Sequence, residues 1–176
     1  SHREYGNRVG VFRLLDLFAR HSIRGTAAVD SYTAAHRPAI VRRFQADGWE
    51  IAGHGQTVTR VISAQMVPET ERRYVAEALA SVEKACGESA NTPTILAEQR
   101  ITYVLDWPND DRPYWMQTPS GRLVSLPVAA ELDDVCAHWH RKIPMDRWRQ
   151  SVVDAVERLA IDGRGDGRVL VLNLHP

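Results

Sequence analysis

Two histidines and several carboxylates stand where short apolar runs give way to loops. In the stretch GWEIAGHGQTVTR, His54 follows Ile51-Ala52-Gly53 on a glycine-bounded turn. His175 closes the run Arg168–Leu174, whose heart is VLVLNL. Asp30 follows Thr26–Val29, and Asp106 with Asn109-Asp110-Asp111 follows Thr102–Leu105. These side chains suit proton transfer, because imidazole titrates near neutrality and a carboxylate can activate water or accept an N–H. Trp107 and Tyr114 beside the acids offer faces on which a flat ring can stack. A single imidazole binds zinc weakly unless other ligands complete the shell. Val58, four residues after His54, has no donor atom, so this turn alone cannot build a three-ligand site. Each residue also has a plainer role open to it. His54 can bond Thr57 or backbone, His175 can cap a strand, and Asn-Asp-Asp after Pro108 makes a good turn.

The elements that must position these groups alternate in type. Val11, Leu14, Leu15 and Phe18 form a helical stripe, followed by Gly25 and a short strand, Thr26–Val29. Asp30-Ser31 can cap the next helix, expected over Thr33–Ala46 and ending near Gly48. Trp49–Ala52 reads as the strand that delivers His54. A long helix carries Val75, Ala78, Leu79 and Val82 on one face and ends at Gly87. A short helix over Pro93–Glu98 precedes a strand at Thr102–Leu105. Pro119-Ser120-Gly121 between Tyr114–Thr118 and Arg122–Leu126 reads as a hairpin. Met145, Trp148, Val152, Val156 and Leu159 form another amphipathic stripe, closed by Asp162-Gly163. Arg168–Leu174 has the strongest pattern of a buried strand. Strands alternating with longer helices predict an α/β chain with a mostly parallel sheet or barrel. In such folds ligands gather at the C-terminal ends of the strands, which is where the acids and histidines lie.

The bulk composition narrows the partners. The chain has 176 residues, enough for one domain with a sizeable core, and is 44% hydrophobic and 25% charged. Lysine plus arginine equals aspartate plus glutamate at 22 each, so no overall field favours nucleic acid or an anionic membrane. The apolar runs are too short to span a bilayer. Cys86 and Cys136, far apart in sequence, read as reduced thiols in a cytoplasmic protein. The expected ligand is a small molecule. Cys136-Ala-His138-Trp-His140 would point three donors one way on a strand, a lesser zinc candidate. GRGDG at 163–167 reads as a flexible turn. There is no GxSxG, P-loop or GxGxxG, which leaves serine-hydrolase and nucleotide-dependent chemistry without support.

Seven stretches, SHREYGNRVG, RLLDLFARHSIRGTAAVDS, GWEIAGHG, ESANTPTILAE, DWPNDDRPYW, LVSLPVAAELDD and VLVLNLHP, together resemble the polysaccharide deacetylase (NodB-like) superfamily. More narrowly they resemble its allantoinase-like, cyclic-amide-hydrolase branch. The resemblance implies an α/β fold with a distorted, incomplete (β/α) barrel of the NodB type. It implies hydrolysis of carbon–nitrogen bonds other than peptide bonds, in a small cyclic amide such as a ureide or imide. A metal-dependent N-deacetylase of an amino sugar is the alternative. On this resemblance His175 is the general acid, and His54 binds or polarises substrate, or binds the metal if there is one. Asp110 is the third catalytic candidate. Glu4, Arg8, Glu88 and Trp107 become candidates for substrate binding, with Arg3 and Tyr5 near the entrance and Leu132-Asp133-Asp134 near the mouth. A homo-oligomer is implied as well.

The chain also departs from the family. Sugar deacetylases hold a divalent metal with an aspartate and two histidines spaced H-x-x-x-H, and Val58 stands at the second histidine. That substitution implies that no metal is required, or that zinc binds weakly. The first strand with its paired aspartates has no counterpart after Ser1. The strand expected after the long helix is missing between Gly87 and Glu88. The expectation is a single catalytic domain, residues 1–176, drawn from a longer chain with a segment excised near 87–88 and further residues beyond both ends.

Overall fold

A computed structural model describes residues 5–57, 66–81, 89–105, 107 and 110–176. They fall into two compact units. The first holds residues up to 101, the turn 119–121 and Pro176; the second holds 102–118 and 122–175.

In the first unit a π-helical turn, Gly6–Gly10, runs into helix α1, Val11–Arg20. Its apolar stripe buries Val11 and Leu15. Strand β1, Thr26–Val29, pairs in parallel with β2, Glu50–Gly53, with Val29 opposite Gly53. The expected helix Thr33–Ala46 is two helices, α2 (Ser31–His36) and α3 (Pro38–Ala46). Pro38 is the cause: it lacks an N–H and pushes Arg37 out of helical geometry, to φ −133 and ψ 50. Val11, Leu15, Ala27, Val29, Ile40 and Phe44 form one buried cluster between these helices and strands.

Helix α4, Pro68–Ser81, and helix α5, Thr92–Glu98, complete the unit. They are joined by a buried polar clasp. Glu71 is fully buried, and its carboxylate accepts from Ser89 Oγ at 2.7 Å and from Thr92 Oγ1. Ser89 N donates to Thr92 Oγ1 at 2.6 Å, and Asn91 N donates to Ser89 Oγ at 3.0 Å. The S-A-N-T run therefore starts α5 and satisfies a buried acid at once. Val82 and the Gly87–Glu88 junction lie outside the described residues.

The second unit has a three-stranded sheet of order β3-β5-β4, with β3 Tyr103–Val104, β4 Tyr114–Thr118 and β5 Gly121–Ser125. The hairpin of β4 and β5 forms as expected. β3 runs parallel to β5, with Val104 opposite Ser125. A short 3-10 turn, Ala130–Leu132, leads to a π-helical segment, Val135–His140. Helix α6, Met145–Asp162, follows the sequence stripe but only half buries Trp148, Val152 and Leu159, and Met145 and Val156 are exposed. Arg168–Leu174 is not the buried strand its composition suggests. Among the described residues it makes one isolated bridge, Val171 to Val128, and stays half-buried. A strand needs a continuous ladder to satisfy its backbone, and one bridge does not supply it. The described strands form two small sheets of a mixed α/β chain and do not close into a barrel.

Two substitutions test these contacts. A Cβ on Gly25 would lie 2.7 Å from Trp49 Cζ3, in a ring wedged by Phe18 and Phe44 at centroid distances of 5.3 and 5.5 Å. Gly25→Ala should therefore cost about 1–3 kcal/mol in denaturant unfolding; unchanged stability would show that the ring can move aside. Glu71→Ala strands two hydroxyls and should also cost about 1–3 kcal/mol, and a melting temperature equal to wild type would count against the clasp.

Candidate functional site

In the first unit the β1–β2 ladder runs one step past the strands, with His54 N donating to Val29 O at 2.9 Å. Gly55 then turns the chain at φ +74, a backbone conformation that glycine adopts without a Cβ clash. Its carbonyl accepts from Ser31 N at 3.0 Å. Gln56 N donates to the Tyr74 hydroxyl at 2.8 Å, and Gln56 Nε2 donates to Glu77 Oε2 at 2.6 Å. The backbone under His54 is thus held on both sides while its side chain stays exposed. Asp30, on the same strand-end list, is occupied as the cap of α2: its Oδ1 accepts from Thr33 N at 2.6 Å. Val58, Glu4, Arg3 and Glu88 lie outside the described residues. The Tyr5 hydroxyl accepts from Arg13 Nη1 at 2.9 Å, and Arg8 is exposed on the π turn.

In the second unit His175 meets Asp134. The histidine's backbone N donates to Asp134 Oδ2 at 2.8 Å, and its ring Nδ1 lies 2.6 Å from Oδ1. A carboxylate only accepts, so Nδ1 carries the proton and Nε2 is the nitrogen left for exchange. The bond from Asp134 holds the imidazole pKa above its ordinary value, against burial, which works the other way. For Asp134, burial pushes the carboxyl up, but the bonds from His175 and Val135 outweigh it and hold the carboxyl below the usual range. Asp133 stands beside them and accepts from Cys136 N at 2.7 Å. The doubled acid therefore starts the helical segment and orients a histidine. Sequence had suggested either a helix start or a site mouth; the one hint of the pairing was an acid more than a cap requires.

Other candidates resolve differently. Asp110 is exposed, and its Oδ1 accepts from Asp111 N at 2.7 Å and Arg112 N at 3.1 Å. These backbone bonds, the one to Asp111 first, hold its carboxyl below the ordinary value. Asp111 accepts from Arg168 Nε at 3.1 Å, and Arg168 also pairs with Asp166, in the GRGDG turn, at 3.7 Å. Trp107 is half-buried, and its indole Nε1 is buried with no hydrogen-bond partner among the described residues. Ser125, fully buried at the C-terminal end of β5, likewise has an unpartnered Oγ. Asp106 and Asn109 lie outside the described residues. Cys136, His138 and His140 sit on the π-helical segment and not on a strand, so alternate residues do not share a face. His138 instead bonds Ile143 O through Nδ1 at 2.8 Å and packs edge-on against Trp148.

A divalent metal of the kind the fold family implies can be tested against this chemistry. Asp133, Asp134 and His175 bring one donor each within 4.8 Å of one another. Yet both Asp134 oxygens and His175 Nδ1 are spent on each other and on backbone N–H groups. His175 Nε2 and the second Asp133 oxygen stay open as donors, so these residues would fit a metal with the Asp134–Nδ1 bond kept.

Comparison with known proteins places the chain. A family model described as polysaccharide deacetylase matches residues 4–97, a little over half of the sequence. A Schizosaccharomyces pombe protein named as a candidate polysaccharide deacetylase is 28% identical over 147 residues, which is 73% of this chain and 44% of the yeast protein. The crystal structure of Puue allantoinase superposes with a TM-score of 0.87 at 26% identity, over 98% of this chain and 61% of that one. A Pseudomonas aeruginosa protein described as a candidate polysaccharide deacetylase gives 0.83 at 26% identity, with the same coverage of 98% and 61%. A Mycobacterium smegmatis relative of similar description gives 0.66 at 32% identity, over 77% and 51%. The chain thus spans less than two thirds of each. Among the described residues no helix is long and apolar enough to cross a membrane.

The Asp134–His175 pair makes stability depend on pH in a defined sense. The raised histidine contributes stability that is full below about pH 6.5 and is lost as pH rises through its folded value. The lowered aspartate contributes above about pH 4, and that part is lost as pH falls through its folded value. Asp134→Asn should therefore lower the melting temperature most between those limits. NMR titration should place His175 above an ordinary histidine in the wild type and lower in the variant. Equal midpoints in the two proteins would break the assignment.

Proposed function

The chain belongs to the polysaccharide deacetylase family, and we propose that within it the protein hydrolyses the carbon–nitrogen bond of a small cyclic amide, a ureide or imide. The observation that carries this reading is the His175–Asp134 pair. Water adds to the amide carbonyl carbon and releases a proton to solvent, the C–N bond of the tetrahedral adduct breaks, and the nitrogen leaves with a proton from His175 Nε2, which solvent restores. Asp134 keeps Nδ1 protonated and stabilises the imidazolium before transfer. Its bond raises the histidine's pKa, so more of the acid form is present near neutrality.

The remaining candidates take supporting parts. His54, on its clamped turn, polarises the carbonyl or positions the water. Asp110, whose bonds favour the ionised form and weaken it as a base, accepts a ring N–H. The unpartnered indole N–H of Trp107 suits a ring carbonyl, which accepts. Glu4, Arg8 and Glu88 join Trp107 in holding substrate. These residues belong to a distorted, incomplete (β/α) barrel on this reading, and the similarity to an allantoinase structure supports the choice of a ureide ring. The alternative, a metal-dependent N-deacetylase of an amino sugar, draws on the family and on the closeness of Asp133, Asp134 and His175.

The decisive assay measures release of ring-opened product from allantoin, hydantoin and succinimide beside acetate release from N-acetylglucosamine oligomers. Ring opening should predominate and survive dialysis against a chelator. His175→Ala should lower kcat by about 10²–10⁴-fold with its circular dichroism unchanged. Acetate release abolished by chelation and restored by zinc would favour the alternative instead.

A further inference from the structure

A cavity of about 350 Å3 opens in the first unit, between the π turn and the kink where Pro38 separates α2 from α3. Its polar wall contains Asn7 and three guanidinium groups, Arg8, Arg37 and Arg42. Phe12 and Ile40 supply an apolar floor. No carboxylate lines it among the described residues. Arginine stays protonated at any working pH, so this wall is positively charged under all ordinary conditions.

The contrast with the next residue is informative. Arg43 has its charge met by Asp16 and by Asp47, each at 2.8 Å. Arg8 and Arg42 meet no carboxylate among the described residues. Arg37 has an interaction of its own, which leaves Arg8 and Arg42 as the cavity's principal charges. Like charges around one concavity repel, and an entering anion turns that repulsion into attraction. The chain's formal net charge of zero means that this attraction is local to the cavity.

We infer that the cavity binds a small organic oxyanion, a carboxylate or phosphate group carried on a short apolar body. The oxyanion lies between Arg8 and Arg42, where the guanidinium fork matches its oxygens, and the Asn7 amide adds a further donor. The body rests on Phe12 and Ile40. His36 stands on the wall with its ring already fixed: Nδ1 lies 2.9 Å from the Tyr32 carbonyl, and the ring stacks on Tyr32 at 4.0 Å. A volume near 350 Å3 is at the small end of small-molecule sites. Arg8 is also among the proposed substrate-binding residues, whereas Arg42 is not, so Arg42 tests the cavity apart from that reading.

Calorimetric titration of the full chain with benzoate, benzamide and inorganic phosphate tests it. Benzoate should bind saturably and more weakly as salt rises, neutral benzamide should not bind, and phosphate should compete with benzoate. Arg42→Gln and Arg8→Gln should each weaken benzoate by about tenfold or more. Both arginines are exposed, and the two variants are independent, so a folding defect in one leaves the other to decide. Equal binding of benzoate and benzamide, wild-type affinity in a folded variant, or no saturable binding of either anion would overturn the site.

Discussion

The carboxylate of Asp134 is the group on which the placement of His175 depends. Among the described residues, 168–175 make one isolated bridge, from Val171 to Val128, so little backbone ladder fixes their course there. Asp134 replaces that ladder at its end by accepting both the backbone N–H and the ring Nδ1–H of His175. The same side chain accepts from Val135 N and so starts the helical segment that follows. One acid thereby determines where the histidine is, which tautomer it adopts and how strongly it holds its proton. Removal of its charge would be felt in all three.

The first unit solves a different problem: presenting a side chain to solvent from a rigid backbone. The β1–β2 ladder is four residues long, too short to be stable alone, and gains its hold from the buried cluster of Val11, Leu15, Ala27, Val29, Ile40 and Phe44. His54 continues the ladder through its N–H, and Gly55 and Gln56 then tie the turn back to Ser31 and Tyr74. A residue so placed keeps a defined backbone with an exposed ring. That arrangement suits a group that must meet substrate.

Family membership and geometry bear on different questions. Membership places the chain beside its structural neighbours in fold, over less than two thirds of their length, and hydrolysis at a carbon–nitrogen bond is the proposal built on it. The proposed choice of substrate draws on this chain's own residues, on the His175–Asp134 pair and on Val58, which stands where sugar deacetylases carry a second histidine. Of the three guanidinium groups of the first unit, Arg37 and Arg42 have no part in the proposed amide hydrolysis, and only Arg8 is shared with it.

Much of the fold was legible because it is set by local chemistry. Periodicity marked α1, α4 and α6, short apolar runs marked β1 and β2, turn residues marked the β4–β5 hairpin, and Asp30 announced the cap it makes. Where the reading failed, a second force had entered. Pro38 broke a helix that periodicity alone would continue, and Arg168–Leu174, apolar enough for a buried strand, makes one bridge among the described residues. Cys136, His138 and His140 were legible as donors but not as members of a helical segment. By itself, then, the sequence determined the positions of the chemistry-bearing residues at element ends, and the family, because side-chain pattern and order are properties of the chain. Only tertiary structure decided that Asp134 meets His175 across 41 residues, that Glu71 is buried between two hydroxyls, and that Arg8 and Arg42 face one cavity. Such pairings depend on how distant segments pack, and a short-range sequence pattern carries no record of that.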